Sequence, residues 1–197
     1  MSLIPMVIQK EGNSERSFDL FSRLLKDRVI FITGEIEDQM ASIIVAELLF
    51  LDSDDNKTPI SMYINSPGGV VSAGLAIIDT MHLINADVHT YCVGICASMG
   101  AMIFSQGKKG NRYILEHAEL MIHQPLGGAR GQATDILIQA KSIAKTKKIL
   151  TEMLSEASGQ PFEKVADDCE RDHYLDAEET VEYGLADSVI KNNKQII

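Results

Sequence analysis

The chain has 197 residues, 45% hydrophobic and 23% charged, with a formal net charge of −10 from 18 basic and 28 acidic side chains. That length suits one domain with a full core, and no apolar run approaches the roughly 20 residues that span a bilayer. The acidic balance excludes the clustered Lys and Arg footprint of a nucleic-acid binder, and Cys92, Cys96 and Cys169, an odd number at no metal-ligand spacing, predict reduced, cytoplasmic thiols and no metal site.

Residues 1–8 are apolar but short and lack a basic flank, so no signal peptide is expected. Residues 17–25 read as a short helix with Ser17 as N-cap. A buried strand follows over 28–32, closed by Gly34. From 37 to 51, Met40, Ile43, Ile44, Leu48 and Leu51 keep helical spacing, broken by Glu47. A polar loop at 52–56 leads into a strand over 59–65, cut off by Ser66-Pro67-Gly68-Gly69. Helical spacing returns over 70–84, then a strand over 88–93 and a helix over 98–104. Two further strands read at 112–115 and 119–122. Strand alternating with helix predicts repeated βαβ units and a mostly parallel, buried sheet.

Residues 133–158 contain no proline or glycine and end at Gly159-Gln160-Pro161, which predicts one helix of about 39 Å. Its apolar residues cover more than one face. A domain of this size has difficulty burying both, so the helix is expected to project and pack against another subunit. The basic stretch 141–148 reads as a solvated helix face. Beyond it the pattern predicts a helix over 161–171, a short strand over 173–175, a helix over 177–183 closed by Gly184, and a last strand over 186–190.

The chemistry centres on Ser98. Gly94-Ile95-Cys96-Ala97-Ser98-Met99-Gly100-Ala101 follows a strand and places a hydroxyl at the start of a helix, beside unpaired N–H groups. Such a position suits a nucleophile whose reaction builds an oxyanion. A serine ahead of a helix is more often an N-cap, and Cys96 replaces the first glycine of the G-x-S-x-G elbow. A serine nucleophile needs a base and a group to orient it. Of His82, His89, His117, His123 and His173, only His123 directly ends an apolar strand, and strand C-terminal ends line the crevice of α/β sheets. Asp167, Asp168, Asp172 and Asp176 are all candidates to orient it, and spacing does not choose among them. Gly68 and Gly69 allow close backbone approach, with a possible oxyanion donor there and another at the Met99 N–H. Gly127 and Gly128, in the link between His123 and the long helix, suit an edge to which a peptide adds as a strand.

Three stretches together resemble the ClpP family, the proteolytic subunits of Clp proteases. They are Tyr63-Ile64-Asn65-Ser66-Pro67-Gly68-Gly69, Ala97-Ser98-Met99-Gly100-Ala101 and Met121-Ile122-His123-Gln124-Pro125-Leu126-Gly127-Gly128. The likeness spans nearly the whole chain and implies an α/β, ClpP/crotonase-type fold of repeated ββα units in a single domain. Residues 1–18 would form an axial segment and 124–158 a projecting handle. It carries over Ser98 as nucleophile, His123 as base and Asp172 as its orienting carboxylate, with Gly69 and Met99 as oxyanion donors. Substrate would lie between Gly68, Val70 and Val71 on one side and Leu126, Gly127 and Gly128 on the other. Gln132, Glu170 and Arg171 match ring–ring contacts, and Tyr63, Leu83, Tyr91, Tyr113, Leu115 and Ile190 match pockets that dock an unfoldase.

The function this implies is a serine endopeptidase cutting unfolded polypeptides inside two stacked heptameric rings. A Clp-type AAA+ unfoldase would feed it and alone consume ATP, with no cofactor, nucleic acid or membrane involved. A catalytically silent or regulatory ring subunit and a crotonase-fold acyl-CoA enzyme are the alternatives. Departures from the family pattern are Ile95-Cys96 before Ala97-Ser98, Arg130, and a bulky Tyr91 at the docking position.

Overall fold

The structure is a computed structural model that describes residues 4–11 and 14–191. Residues 1–3, 12 and 13 of the expected axial segment lie outside the described residues. The rest of that segment forms a hairpin of β1 (Met6–Glu11) and β2 (Ser14–Asp19). This corrects the expected helix start at Ser17. Ser17 pairs with Ile8 across the hairpin, and α1 (Leu20–Lys26) begins only after Asp19, whose carboxylate accepts from the Ser22 N–H at 2.9 Å. A capping side chain must stand where the backbone is still extended, and the hairpin moves that point two residues along the chain.

Apolar strands and amphipathic helices then alternate as expected. They run β3 (Val29–Thr33), α2 (Asp38–Asp54), β4 (Ile60–Ser66), α3 (Val71–Leu83) and β5 (Val88–Ala97), followed by α4 (Met99–Ser105). Next come β6 (Arg112–Leu115), β7 (Glu119–Ile122), α5 (Ala133–Ser158), α6 (Phe162–Asp168), β8 (His173–Leu175), α7 (Ala177–Tyr183) and β9 (Ser188–Ile190). Three boundaries differ in substance. The helix expected to end at 51 runs on to Asp54, into the expected polar loop. The helix expected to run to 171 stops at Asp168, and the strand expected to end at 93 continues to Ala97.

Strands β3, β4, β5, β6 and β9 hydrogen-bond in that order, all parallel, which gives the mixed α/β architecture expected. Strand β7 joins the far end of β5 in parallel, and β8 pairs antiparallel with β7. On one face of the sheet Ile30, Ile32, Met62 and Ile64 are at most 1% exposed and meet the helices. At roughly 25 cal/mol per Å² of apolar area, such fully buried side chains each contribute about 1.5–3 kcal/mol. On the other face Phe31, Tyr63, Tyr91 and Tyr113 share one register and stack, with successive ring centroids 5.5, 4.5 and 5.1 Å apart.

The long helix α5 has the predicted bounds. Leu150 and Leu154 near its C-terminal end are buried, whereas Leu137 and Ile138 are 62% and 61% exposed. Its last turns therefore belong to the core, and its first turns leave apolar side chains uncovered.

Candidate active site

Ser98 sits between β5 and α4 at φ +54° and ψ −120°, a left-handed conformation that a non-glycine residue adopts only when its surroundings impose it. The surroundings do so on two sides. The Ser98 N–H donates to Met121 O at 2.9 Å, and the Ser98 carbonyl accepts from Met102 N–H at 3.0 Å. Its hydroxyl caps nothing in α4. The ordinary N-cap reading of this serine is therefore displaced by another use of the hydroxyl.

That use is set by the ladders. Ala97 pairs with Met121, so the two chains leaving β5 and β7 emerge side by side. Ser98 Oγ then lies 2.8 Å from His123 Nε2. Across the antiparallel ladder Ile122 pairs with His173, which puts Asp172 beside His123, with Oδ1 2.9 Å from Nδ1. An imidazole protonated at Nδ1 donates to Asp172 and accepts the Ser98 hydroxyl at Nε2. His123 is nearly covered, with a side chain 14% exposed, whereas that of Asp172 is 58% exposed.

The other carboxylates left open by spacing are otherwise engaged or elsewhere. Asp168 accepts from Lys164 at 2.6 Å and from the Tyr183 hydroxyl at 2.7 Å. Asp176 forms the capping box of α7 with Glu179. Asp167 lies in α6.

The glycine turn is built against Ser98. A Cβ on Gly68 would stand 2.6 Å from Ser98 Cβ and 3.1 Å from Met99 N, so the Met99 amide and the turn face one spot. A Cβ on Gly69 would stand 2.1 Å from Ile36 O. The turn is pinned there by Ile36 N–H donating to Gly68 O and Val70 N–H donating to Ile36 O, both at 2.8 Å. Among the described residues the amides of Gly69 and Met99 make no hydrogen bond. A free donor in the turn that packs on Ser98, and another on the residue that follows it, suit a developing oxyanion.

Beyond His123 the chain from 124 to 130 has no regular structure. Gly127 packs on Ile143 of α5, nothing lies within 4 Å of a Cβ placed on Gly128, and Leu126 is 85% exposed. Between this segment and the start of α3 lies a cavity of about 320 Å³, walled by Val71, Leu75, Leu126 and Ile143 among others.

Glu170 and Arg171 precede Asp172. Glu170 accepts from Lys147 of α5 at 3.0 Å, and Gln124 Nε2 donates to its carbonyl at 3.0 Å. The Lys147 ammonium holds the Glu170 carboxyl below its usual range. Lys147 had read only as part of a solvated face, and no local pattern links it to Glu170. Gln132 stands at the N-cap of α5 without a capping bond. Of the expected docking residues, Tyr63, Tyr91 and Tyr113 belong to the aromatic stack. Leu115 and Ile190 lie on neighbouring strands, and Leu83 is 76% exposed at the end of α3. Tyr91 is only 6% exposed, covered by its stacking neighbours.

The three cysteines are buried and free. Burial pushes the Cys96 thiol up and the Cys169 thiol to about 11, so neither offers a thiolate that competes with Ser98.

A family model described as Clp protease matches residues 12–193. Over 196 residues, covering 100% of both chains, the sequence is 52% identical to the ATP-dependent Clp protease proteolytic subunit of Ligilactobacillus salivarius (strain UCC118).

Proposed function

The chain belongs to the Clp protease family, and we propose that Ser98, His123 and Asp172 are the catalytic triad of its serine endopeptidase activity. The observation that carries this assignment is His123, hydrogen-bonded through Nε2 to Ser98 and through Nδ1 to Asp172.

Ser98 Oγ attacks the scissile carbonyl as His123 Nε2 takes its proton, and Asp172 stabilises the imidazolium. The tetrahedral oxyanion is held by the free amides of Gly69 and Met99. His123 then protonates the leaving amine, and a water repeats the sequence in reverse to free the acyl group. Losing one oxyanion donor costs about 10²–10³-fold in kcat. No step of this route calls on a cofactor.

Substrate binds extended between Gly68, Val70 and Val71 on one side and Leu126, Gly127 and Gly128 on the other. In support, the backbone of residues 126–128 makes no hydrogen bond among the described residues and is open to an added strand.

The protein works as a ring assembly with a Clp ATPase. The finer arrangement we propose is two stacked heptameric rings fed by an AAA+ unfoldase that alone consumes ATP. The exposed apolar turns of α5, with Gln132, Glu170 and Arg171, would join the rings, and Tyr63, Leu83, Tyr91, Tyr113, Leu115 and Ile190 would line the docking sites. The substrates are unfolded polypeptides. Three free buried cysteines suit a reducing compartment, which supports a cytoplasmic location. No helix among the described residues is long and apolar enough to cross a membrane.

A fluorophosphonate probe tests the assignment. It should label the full-length protein and leave Ser98→Ala unlabelled, and labelling of that variant at the wild-type rate would overturn it.

A further inference from the structure

The β4–β5 ladder is interrupted at one place. Ile60 to Ile64 pair in register with Val88 to Cys92, and pairing resumes at Ser66 with Cys96. Asn65 alone therefore stands opposite Val93, Gly94 and Ile95. Such a bulge bends its strand and raises the local twist, which re-aims the residues beyond it.

The bulge coincides with a change of partner. Before it, β5 pairs with β6 through Thr90, Tyr91 and Cys92. Beyond it, β5 pairs with β7 through Ile95, Cys96 and Ala97. The extra residues thus swing β5 off β6 and onto the strand that leads into His123. Ser98 is the next residue along.

The Asn65 side chain, though exposed, reaches the bulge. Its Oδ1 accepts the Ile95 N–H at 3.4 Å, and a Cβ on Gly94 would stand 3.1 Å from that same oxygen. Gly94 has φ +77°, which glycine adopts without steric cost. The Asn65 carbonyl accepts from Gly34 N–H at 3.0 Å, which ties the residue to the end of β3.

We propose that Asn65 is a positioning residue for Ser98, its side-chain amide holding the Gly94–Ile95 bulge in the shape that carries β5 from β6 to β7. The proposal rests on the reading of Ser98 as nucleophile. Two residues, Cys96 and Ala97, join the bulge to Ser98 through their pairing with β7, so a change at the bulge moves Oγ relative to Nε2.

The test compares full-length Asn65→Ala, Asn65→Asp and Gly94→Ala with the wild type. It reads kcat and KM on a fluorogenic peptide, fluorophosphonate labelling rate, melting temperature and particle mass. Asn65→Ala should lower kcat and labelling together by roughly tenfold, since small misplacements of a reacting group cost up to about 10²-fold. KM, melting temperature and particle mass should hold. Asn65→Asp keeps an oxygen for the Ile95 N–H and should recover most of the loss, whereas Gly94→Ala should reproduce it from the other strand. Wild-type kcat in Asn65→Ala, an equal loss in Asn65→Asp, or a loss that follows particle mass would overturn the proposal. A Ser98→Ala protein that still labels would instead overturn the nucleophile assignment.

Discussion

His123 and Asp172 are 49 residues apart in sequence and 2.9 Å apart in space, because β7 and β8 pair antiparallel with Ile122 opposite His173. The orienting carboxylate thus comes from the one antiparallel ladder, among the described residues, of a sheet whose other strands run parallel. Asp172→Asn keeps the shape of the side chain but favours the wrong imidazole tautomer. It should lower kcat by about 10⁴-fold with a normal melting temperature. Peptide hydrolysis alongside a thermal melt checks this, and near-wild-type turnover would remove Asp172 from the triad.

The two glycines of the turn should fail in different ways. Gly68→Ala places its Cβ 2.6 Å from Ser98 Cβ, so the serine itself must shift. We expect kcat to fall by about 10²-fold or more, and fluorophosphonate labelling to fall with it. Gly69→Ala puts its Cβ 2.1 Å from the backbone oxygen of Ile36, which has no flexible end to give way. That variant should lose melting temperature as well as activity, by a few kcal/mol of stability. Equal melting curves for the two would contradict this distinction.

Arg112 is the most tightly held charge among the described residues. It is 2% exposed, binds both carboxylate oxygens of Asp187, and donates to the carbonyls of Ser105, Ala157 and Gly184. Arg112→Met leaves Asp187 and three carbonyls without that partner and should cost about 3–5 kcal/mol. For a chain of this size that is a fall of about 6–20 °C in melting temperature, read by calorimetry.

The same pair sets a pH dependence. Burial raises the Asp187 carboxyl, but hydrogen bonds from Arg112 and from the Gly110 N–H outweigh it and hold the group below its usual range. A carboxyl lowered in the folded state stabilises above its unfolded pKa of about 3.9, and that stabilisation is lost as pH falls through the lower folded value. Wild type should therefore lose more stability than Asp187→Asn between pH 5 and the acid limit of folding. Parallel melting-temperature profiles for the two proteins would contradict it.

Leu137 and Ile138 lie exposed on the first turns of α5. In an assembly joined through that helix they are covered, so Leu137→Asp should lower particle mass, measured by light scattering. It should leave the melting of the individual chain nearly unchanged, because surface substitutions usually stay within about 0.5 kcal/mol. Particles of wild-type mass would show that this face is not the contact.

The local chemistry of the chain was enough for most of its secondary structure. Alternating apolar runs marked the strands of the sheet, and the absence of glycine and proline before Gly159 placed both ends of α5 at Ala133 and Ser158. These signals are visible because they act over one or two turns or along a single strand. The helix expected at Ser17 failed for the opposite reason, since its alternative was a cross-strand pairing with Ile8.

The site divides along the same line. Ser98 and His123 were legible as strand-end positions, and family likeness named their roles along with that of Asp172. Which of four carboxylates meets His123 was settled by ladder register and by the prior engagement of Asp168 and Asp176. The extension of β5 to Ala97 and the bulge at Asn65 have no local signature, whereas the tandem glycines and the helix start did mark Gly69 and Met99 as donors. Sequence alone determined which residues could do chemistry and which elements carry them. Only the tertiary structure decided which of them meet, because strand pairing brings together side chains whose separation along the chain carries no periodic signal.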